Sequence, residues 1–264
     1  MSFDRKTTVK YRRFLKVFSD DIEKFPEGFQ TDQQKKVSNP PLQKPYPEEA
    51  ELIDLIHIDD IECGKEIPLH IVLTQRRSRR IYTDDSLTLE ELSFLLWTSQ
   101  GVHEVTKHHG AGTRRVVPSG GARHPYETYL IINRVDGIKP GLYRYIAIEH
   151  KLHFLKETGE KEKTQIKEIA YQDFIPKGAV IFVWAVIPYR MEWRYSIPSF
   201  KAIAIEGGHI CQNLYLACEA IGIGTCAIAA YNQEVIDELL ELDGEDEFTV
   251  YLAPVGYIIK KGSC

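Results

Sequence analysis

Between Leu73 and Asp85 the chain reads LTQRRSRRIYTDD, which sets Arg76, Arg77, Arg79 and Arg80 around one serine, Ser78. Guanidinium groups at this spacing repel one another unless an anion or carboxylates sit among them. Forked N–H donors, a hydroxyl and backbone amides just ahead of a helix suit a phosphate monoester. The alternative is a solvated basic turn paired with Asp84 and Asp85. A second segment, VVPSGGARHPYETYLIIN, joins Gly120 and Gly121 to the polar Ser119, Arg123 and His124. Two glycines let the backbone approach a flat or charged group closely; otherwise they make a tight turn into a strand. In a third segment, AIEGGHICQNLYLACEAIGIGTC, Glu206-Gly207-Gly208 stands where a long helix is expected to begin. Glycines at a helix start can aim a backbone N–H at a ring.

Two common phosphate motifs are missing from the glycine-rich stretch GAGTRRVVPSGGARHP. It lacks the terminal GK[ST] of a phosphate-cradling loop, and Arg115 stands where the third glycine of GxGxxG belongs. No nucleoside triphosphate site is expected. His103, His108 and His109 lie close together, yet no carboxylate or cysteine at ligand spacing completes a metal site, so no metal is expected. The five cysteines, an odd number with no CxxC pair, read as reduced structural thiols.

The elements that must position these residues follow from apolar periodicity and turn chemistry. In LTLEELSFLLWTSQG, Thr88 and Glu91 form a capping box. Leu89, Leu92, Leu95 and Leu96 recur at helical spacing, and Gly101 closes the helix. The stretch from Gly101 to Pro125 reads as a long glycine-rich loop, a feature more often functional than not. Strands are expected at 127–135, 141–149 and 151–157, the last two as a hairpin. The apolar run 178–187 fits a strand buried on both faces. A helix is expected over KEKTQIKEIAYQDF, and a long buried helix from Phe200 that ends at Gly222 or Gly224. A short strand over TCAIAAY, a helix capped by Asn232 and a last strand over FTVYLAPVGYIIKK complete an α+β pattern around a central sheet.

The 264 residues suffice for one large domain or two small ones, and 43% are hydrophobic, enough for a substantial core. A net charge of −5 gives no reason to expect nucleic-acid binding. No apolar run approaches membrane-spanning length and the N-terminus has no signal-peptide core, so a cytoplasmic protein with no membrane partner is expected. Residues 1–64, rich in Lys, Asp and Pro, read as an extended arm that can pack through Leu52, Ile53, Leu55 and Ile56. Residues 65–264 form the expected main domain.

Taken in order, RRSxR, a helix, PSGGARHP, a strand pair, IEGGH on a helix, GIGT and a final PVG strand resemble the nitroreductase superfamily. LLWTSQG, PSGGARHPYETYLIINRVDGIKPGLYRY and EGGHICQNLYLACEAIGIGT are similar to its SagB-type branch, flavin dehydrogenases that oxidise azolines in modified peptides. The resemblance covers roughly residues 65–261 and implies an FMN-binding fold. Its central sheet would be mainly antiparallel and flanked by helices, in an intertwined homodimer with FMN at the subunit interface. It implies ping-pong hydride transfer at flavin N5. The substrate would be a small molecule or peptide-derived, with NAD(P)H as electron donor if the chain works instead as a nitro or quinone reductase. A third expectation is a flavin-binding subunit of a biosynthetic complex with little activity alone.

By the same resemblance Arg76, Arg77 and Ser78 hold the FMN phosphate, joined by Lys260 or Lys261. Arg80 and Gln172 meet the edge of the ring. Pro118, Ser119, Gly120, Ala122 and His124 line the other chain's flavin. The Glu206 and Gly207 amides face N5. The branch carries a Lys-Tyr pair before the long helix; here the run is RYSIPSFK, which keeps Tyr195 and puts Arg194 in place of lysine. Arg194 and Tyr195 are therefore the catalytic candidates. Arginine cannot serve as a base at physiological pH, but it orients an anion while the tyrosine exchanges a proton.

Overall fold

The computed structural model describes residues 27–106, 112–169 and 171–259. Its centre is a seven-stranded sheet in the order β1-β6-β5-β4-β7-β9-β8. The strands are β1 (Leu52–Asp54), β4 (Tyr126–Ile132), β5 (Gly141–Ile146), β6 (Lys151–Glu157), β7 (Val180–Val186), β8 (Ile223–Thr225) and β9 (Phe248–Tyr257). Every pairing in it is antiparallel. A separate hairpin pairs β2 (Val102–Thr106) with β3 (Gly112–Arg115).

Strand alternation divides the core into two layers. Leu130, Ile132, Phe182, Trp184 and Val186 point to one face, and Tyr129, Ile131, Ile181 and Val183 to the other. The period of two along each strand produces this division. On the first face lie the helices α2 (Leu89–Gln100) and α5 (Ser199–Ala220), which pack on each other. On the second lie α3 (Glu160–Ile169) and α6 (Gln233–Leu240). Apolar cover on both faces accounts for the unbroken apolar run of β7. Thr88 and Glu91 form the expected capping box on α2, and the Asn232 side chain caps α6.

Two further α-helices among the described residues are short: α1 (Leu69–Gln75), just before the arginine cluster, and α4 (Tyr189–Tyr195), just before α5. Neither has enough turns to show an apolar period in sequence. α4 is held instead by a buried ion pair, Arg190 Nη2 to Glu127 Oε1 at 2.5 Å, with both side chains almost fully covered. The stretch read as one long loop contains the β2–β3 hairpin at its start. Residues 39–47 lie as a strap across one end of the sheet. Lys44 N–H donates to Glu127 Oε1 (2.8 Å), Arg144 Nη2 to Pro45 O (2.9 Å) and Arg115 Nη2 to Leu42 O (3.4 Å). Ile53 and Leu55 pack against the core.

Candidate functional site

The arginine segment runs from the end of α1 across the C-terminal half of α5. Arg79 is its anchor. Its N–H donates to Thr225 O at 2.9 Å, its guanidinium lies 3.7 Å from Glu219, and its side-chain carbons lie over Gly224. A Cβ at Gly224 would come within 2.6 Å of Arg79 Cβ, so this glycine is what lets the segment sit so close. The other three arginines behave differently. Among the described residues Arg76, Arg77 and Arg80 form no ion pair, with Asp84, Asp85 or any other carboxylate. Arg76 lies over the Tyr215 ring (5.3 Å) and Arg80 over the Phe174 ring (5.9 Å). Arg77 donates only to the Thr74 and Arg76 carbonyls.

Tyr215 organises this end of the site, and nothing in its sequence context marks it out. Its hydroxyl accepts the Ala227 N–H at 2.8 Å and lies 3.0 Å from Ser78 Oγ. With one lone pair taken by Ala227, the phenol proton can go to Ser78, which frees the serine proton for a ligand oxygen. Phe174 stands two residues from Gln172, which is half-buried, so the contact with Arg80 brings the two expected ring-edge residues to the same region.

The second half of the site lies nearer the start of α5. Gly120 N–H donates to Glu206 Oε1 at 2.7 Å. Burial raises the Glu206 carboxyl above the usual range, while this amide and the Ser119 hydroxyl hold it down. Gly121 takes φ +62°, and a Cβ there would meet the Tyr195 hydroxyl at 2.7 Å and Arg194 Cδ at 2.8 Å. Arg194 in turn lies over the Tyr195 ring at 5.5 Å. Pro118 is exposed and Ala122 half-buried at the edges of this loop. Ser119, Gly120, Gly121, Arg194, Tyr195 and Glu206 are thus brought together within one chain.

Three expectations need correction or fall outside the described residues. Glu206-Gly207-Gly208 does not stand at a helix start. The helix begins at Ser199, after Pro198, so the Glu206 and Gly207 amides lie in its interior, where backbone N–H groups bond to carbonyls four residues back. Gly207 serves packing: a Cβ there would lie 2.9 Å from the Tyr126 hydroxyl, whereas Gly208 faces open space. The His124 side chain does not face the cleft. It is buried, with Nε2 3.0 Å from Thr113 O, and its N–H donates to Ser119 Oγ at 2.8 Å. Burial, with Arg115 nearby, lowers its pKa to about 3, so the ring is neutral and braces the loop from behind. Lys260 and Lys261, like His108 and His109, lie outside the described residues.

Among the described residues no group of His, Cys, Asp and Glu could hold a metal ion. His103 packs edge-on against Trp97. His209 is half-buried and its Nδ1 has no partner among the described residues. The four described cysteines are free; burial raises Cys211 to about 12, as befits a structural thiol. No described helix is long and apolar enough to cross a membrane.

The residues present fit FMN. Among the described residues three guanidinium groups lack carboxylate partners, and one of them, Arg76, lies over Tyr215, whose hydroxyl meets Ser78, which is the chemistry of a phosphate-ester site. Glu206 lies nine residues before Tyr215 on α5, about 13.5 Å of helix. A phosphate tail and a three-ring head can lie along such a length of helix.

Comparison with known proteins gives the family. Residues 73–257 match the nitroreductase family. The chain is 33% identical over 201 residues to MJ1384 of Methanocaldococcus jannaschii, a provisionally named nitroreductase. That alignment covers 76% of this chain and 95% of the relative. It is 26% identical over 165 residues to the trifolitoxin-processing protein TfxB of Rhizobium leguminosarum bv. trifolii, covering 60% of this chain and 44% of that one. In fold it is similar to a chain of the E. coli microcin synthetase McbBCD complex with truncated pro-MccB17 bound. The TM-score is 0.60 at 17% identity, over 98% of this chain and 95% of that one. With the antiparallel sheet, its two helical layers and the ordered motifs all in place, the chain belongs to the nitroreductase family.

Proposed function

We propose that this chain is an FMN-dependent oxidoreductase of SagB-type dehydrogenase character, acting as a homodimer on a peptide-derived or small-molecule substrate. One observation carries the reading: among the described residues Arg76, Arg77 and Arg80 have no carboxylate partner, and Arg76 lies over Tyr215, whose hydroxyl meets Ser78, on the helix whose other half meets the Tyr195 corner. When bound, FMN supplies hydride acceptance and donation at N5, in the two half-reactions of a ping-pong cycle. Arg76, Arg77 and Ser78 hold the phosphate, with Lys260 and Lys261 as further cations. Arg80 and Gln172 take the ring edge. Pro118, Ser119, Gly120 and Ala122 line the partner's flavin, while Glu206 and Gly207 form the adjoining helix face.

Tyr195 holds or moves a proton at its hydroxyl, and the Arg194 guanidinium orients an anionic group of the substrate. The exposed stripe Phe200, Ala204, Gly208 and Gln212 along α5 supports a helix-on-helix dimer contact. The division into an arm, 1–64, and a flavin domain, 65–264, belongs to the same proposal; the described part of the arm works as a strap. Similarity to TfxB favours the dehydrogenase, with a role inside a processing complex as its extension. Similarity to MJ1384 favours a second reading, an NAD(P)H-dependent nitro or quinone reductase.

Anaerobic mixing of the flavin-loaded protein with NADH or NADPH separates the two. Slow or absent bleaching supports the dehydrogenase, and rapid bleaching supports the reductase.

A further inference from the structure

A second concave site lies across the sheet from α5. It encloses about 330 Å³ between the strap residues Lys44, Pro45 and Pro47, strands β5 and β6, and the end of α6 at Leu239 to Glu241. Its floor is a cross-strand row: Tyr129 pairs with Arg144, and Arg144 with His153. Its walls are apolar, from Leu142, Phe154, Leu155, Leu239 and Leu240. This volume is at the lower end of the range of small-molecule sites.

The charges in this cavity do not close among themselves. Glu241 pairs with Lys156 at 2.9 Å, and Glu247, behind the wall, pairs with Lys44. Glu127, also behind it, is bonded to Arg190. Arg144, which is 2% exposed, lies in the field of Glu127 together with Arg190 but makes no ion pair with it among the described residues. Its Nη2 donates to Pro45 O, but its Nη1 has no hydrogen-bond partner among the described residues, and neither has Nδ1 of the neighbouring His153. A buried guanidinium N–H without an acceptor is costly, the more so for a charged group. Two orphan nitrogens from adjacent strands, both in residues that line one cavity, call for an acceptor that the cavity admits.

We infer that this cavity is a second ligand site that takes a monocarboxylate with a short apolar body. The carboxylate accepts from Arg144 Nη1 and from the His153 Nδ1–H tautomer. The hydrocarbon lies on Leu142, Leu239 and Leu240. Both nitrogens are covered in this structure, so side chains around them move aside when the ligand enters. A doubly charged phosphate is disfavoured, because only one cation is left over and Glu241 stands at the rim. The site is independent of the flavin reading, since it lies on the opposite face of the sheet.

The test is calorimetric titration of the full-length protein, with its native chromophore if it has one, using sodium hexanoate. Hexanamide serves as the neutral analogue at matched ionic strength. The expected result is saturable binding of one hexanoate per chain, with hexanamide at least about tenfold weaker. Arg144→Met should lose the hexanoate signal. Because that variant removes a strap contact and can fold poorly, Leu155→Trp is the second variant. It fills the cavity from its rim without touching the guanidinium and should also abolish binding. Absence of saturable binding, equal binding of acid and amide, or binding undiminished in a folded variant would overturn the inference.

Discussion

Ser78 and Tyr215 stand 137 residues apart in sequence and meet hydroxyl to hydroxyl at 3.0 Å. This contact joins the arginine segment to the long central helix. It turns a basic turn into one wall of a site, because Arg76 stacks on the same tyrosine. Among the described residues Arg79 is the one arginine of the cluster with a carboxylate beside it, and it anchors the segment.

Arg76→Ala should weaken FMN retention. A charged hydrogen bond contributes about 1.5–3 kcal/mol, so dissociation should rise by roughly tenfold to a hundredfold. Fluorescence titration of the apoprotein with FMN reads this directly. Unchanged affinity would mean that the phosphate lies elsewhere.

Tyr215→Phe removes the acceptor for the Ala227 N–H and the partner of Ser78 together. The expected cost is about 1–3 kcal/mol of stability, together with weaker FMN binding. Chemical denaturation and the same titration measure the two effects; a variant normal in both would remove Tyr215 from the site.

Gly121→Ala tests the apposition of the glycine loop and the catalytic candidates. The residue sits at φ +62°, and its new Cβ would press on the Tyr195 hydroxyl and on Arg194. Backbone strain alone costs on the order of 1–3 kcal/mol. Turnover should fall further than stability does, because Tyr195 is pushed aside. Loss of stability with turnover per folded, flavin-loaded molecule intact would count against a chemical role for Tyr195.

His124 sets a pH dependence of stability. Burial holds its folded pKa near 3, against 6.5 for the free side chain. The unfolded chain therefore binds the proton first. The neutral ring's contribution is complete above pH 6.5 and is lost as pH falls from there toward 3, at up to about 1.4 kcal/mol per pH unit. His124→Gln should flatten the denaturation midpoint across that window. An identical pH profile in the variant would show that the histidine is not held neutral.

Much of this architecture is legible in local patterns. The Thr88–Glu91 capping box, the Asn232 cap and the unbroken apolar run of β7 each have a short-range cause, and each is found in place. The features that sequence does not reveal depend on distant partners. The helix at 189–195 is held by Glu127, some sixty residues earlier in the chain. The hairpin at 102–115 lies in glycine-rich sequence with little apolar alternation. Glu206-Gly207 lies inside its helix, which starts at Ser199, one residue before the apolar pattern begins at Phe200. His124 reads as a polar loop residue, but the fold of its own loop turns it inward to Thr113. Of the candidate site, the arginines, the glycine loop and Tyr195 are visible in sequence. Tyr215, which ties the first of these to the core, is visible only in three dimensions.

The central claim is that the arginine segment and the long helix together hold a flavin phosphate. The most direct measurement is to denature the purified protein, separate the released chromophore by chromatography, and determine its identity and amount per chain. FMN is expected, up to one per chain, with the apoprotein taking it up again on addition. A colourless protein that takes up no added FMN would contradict it.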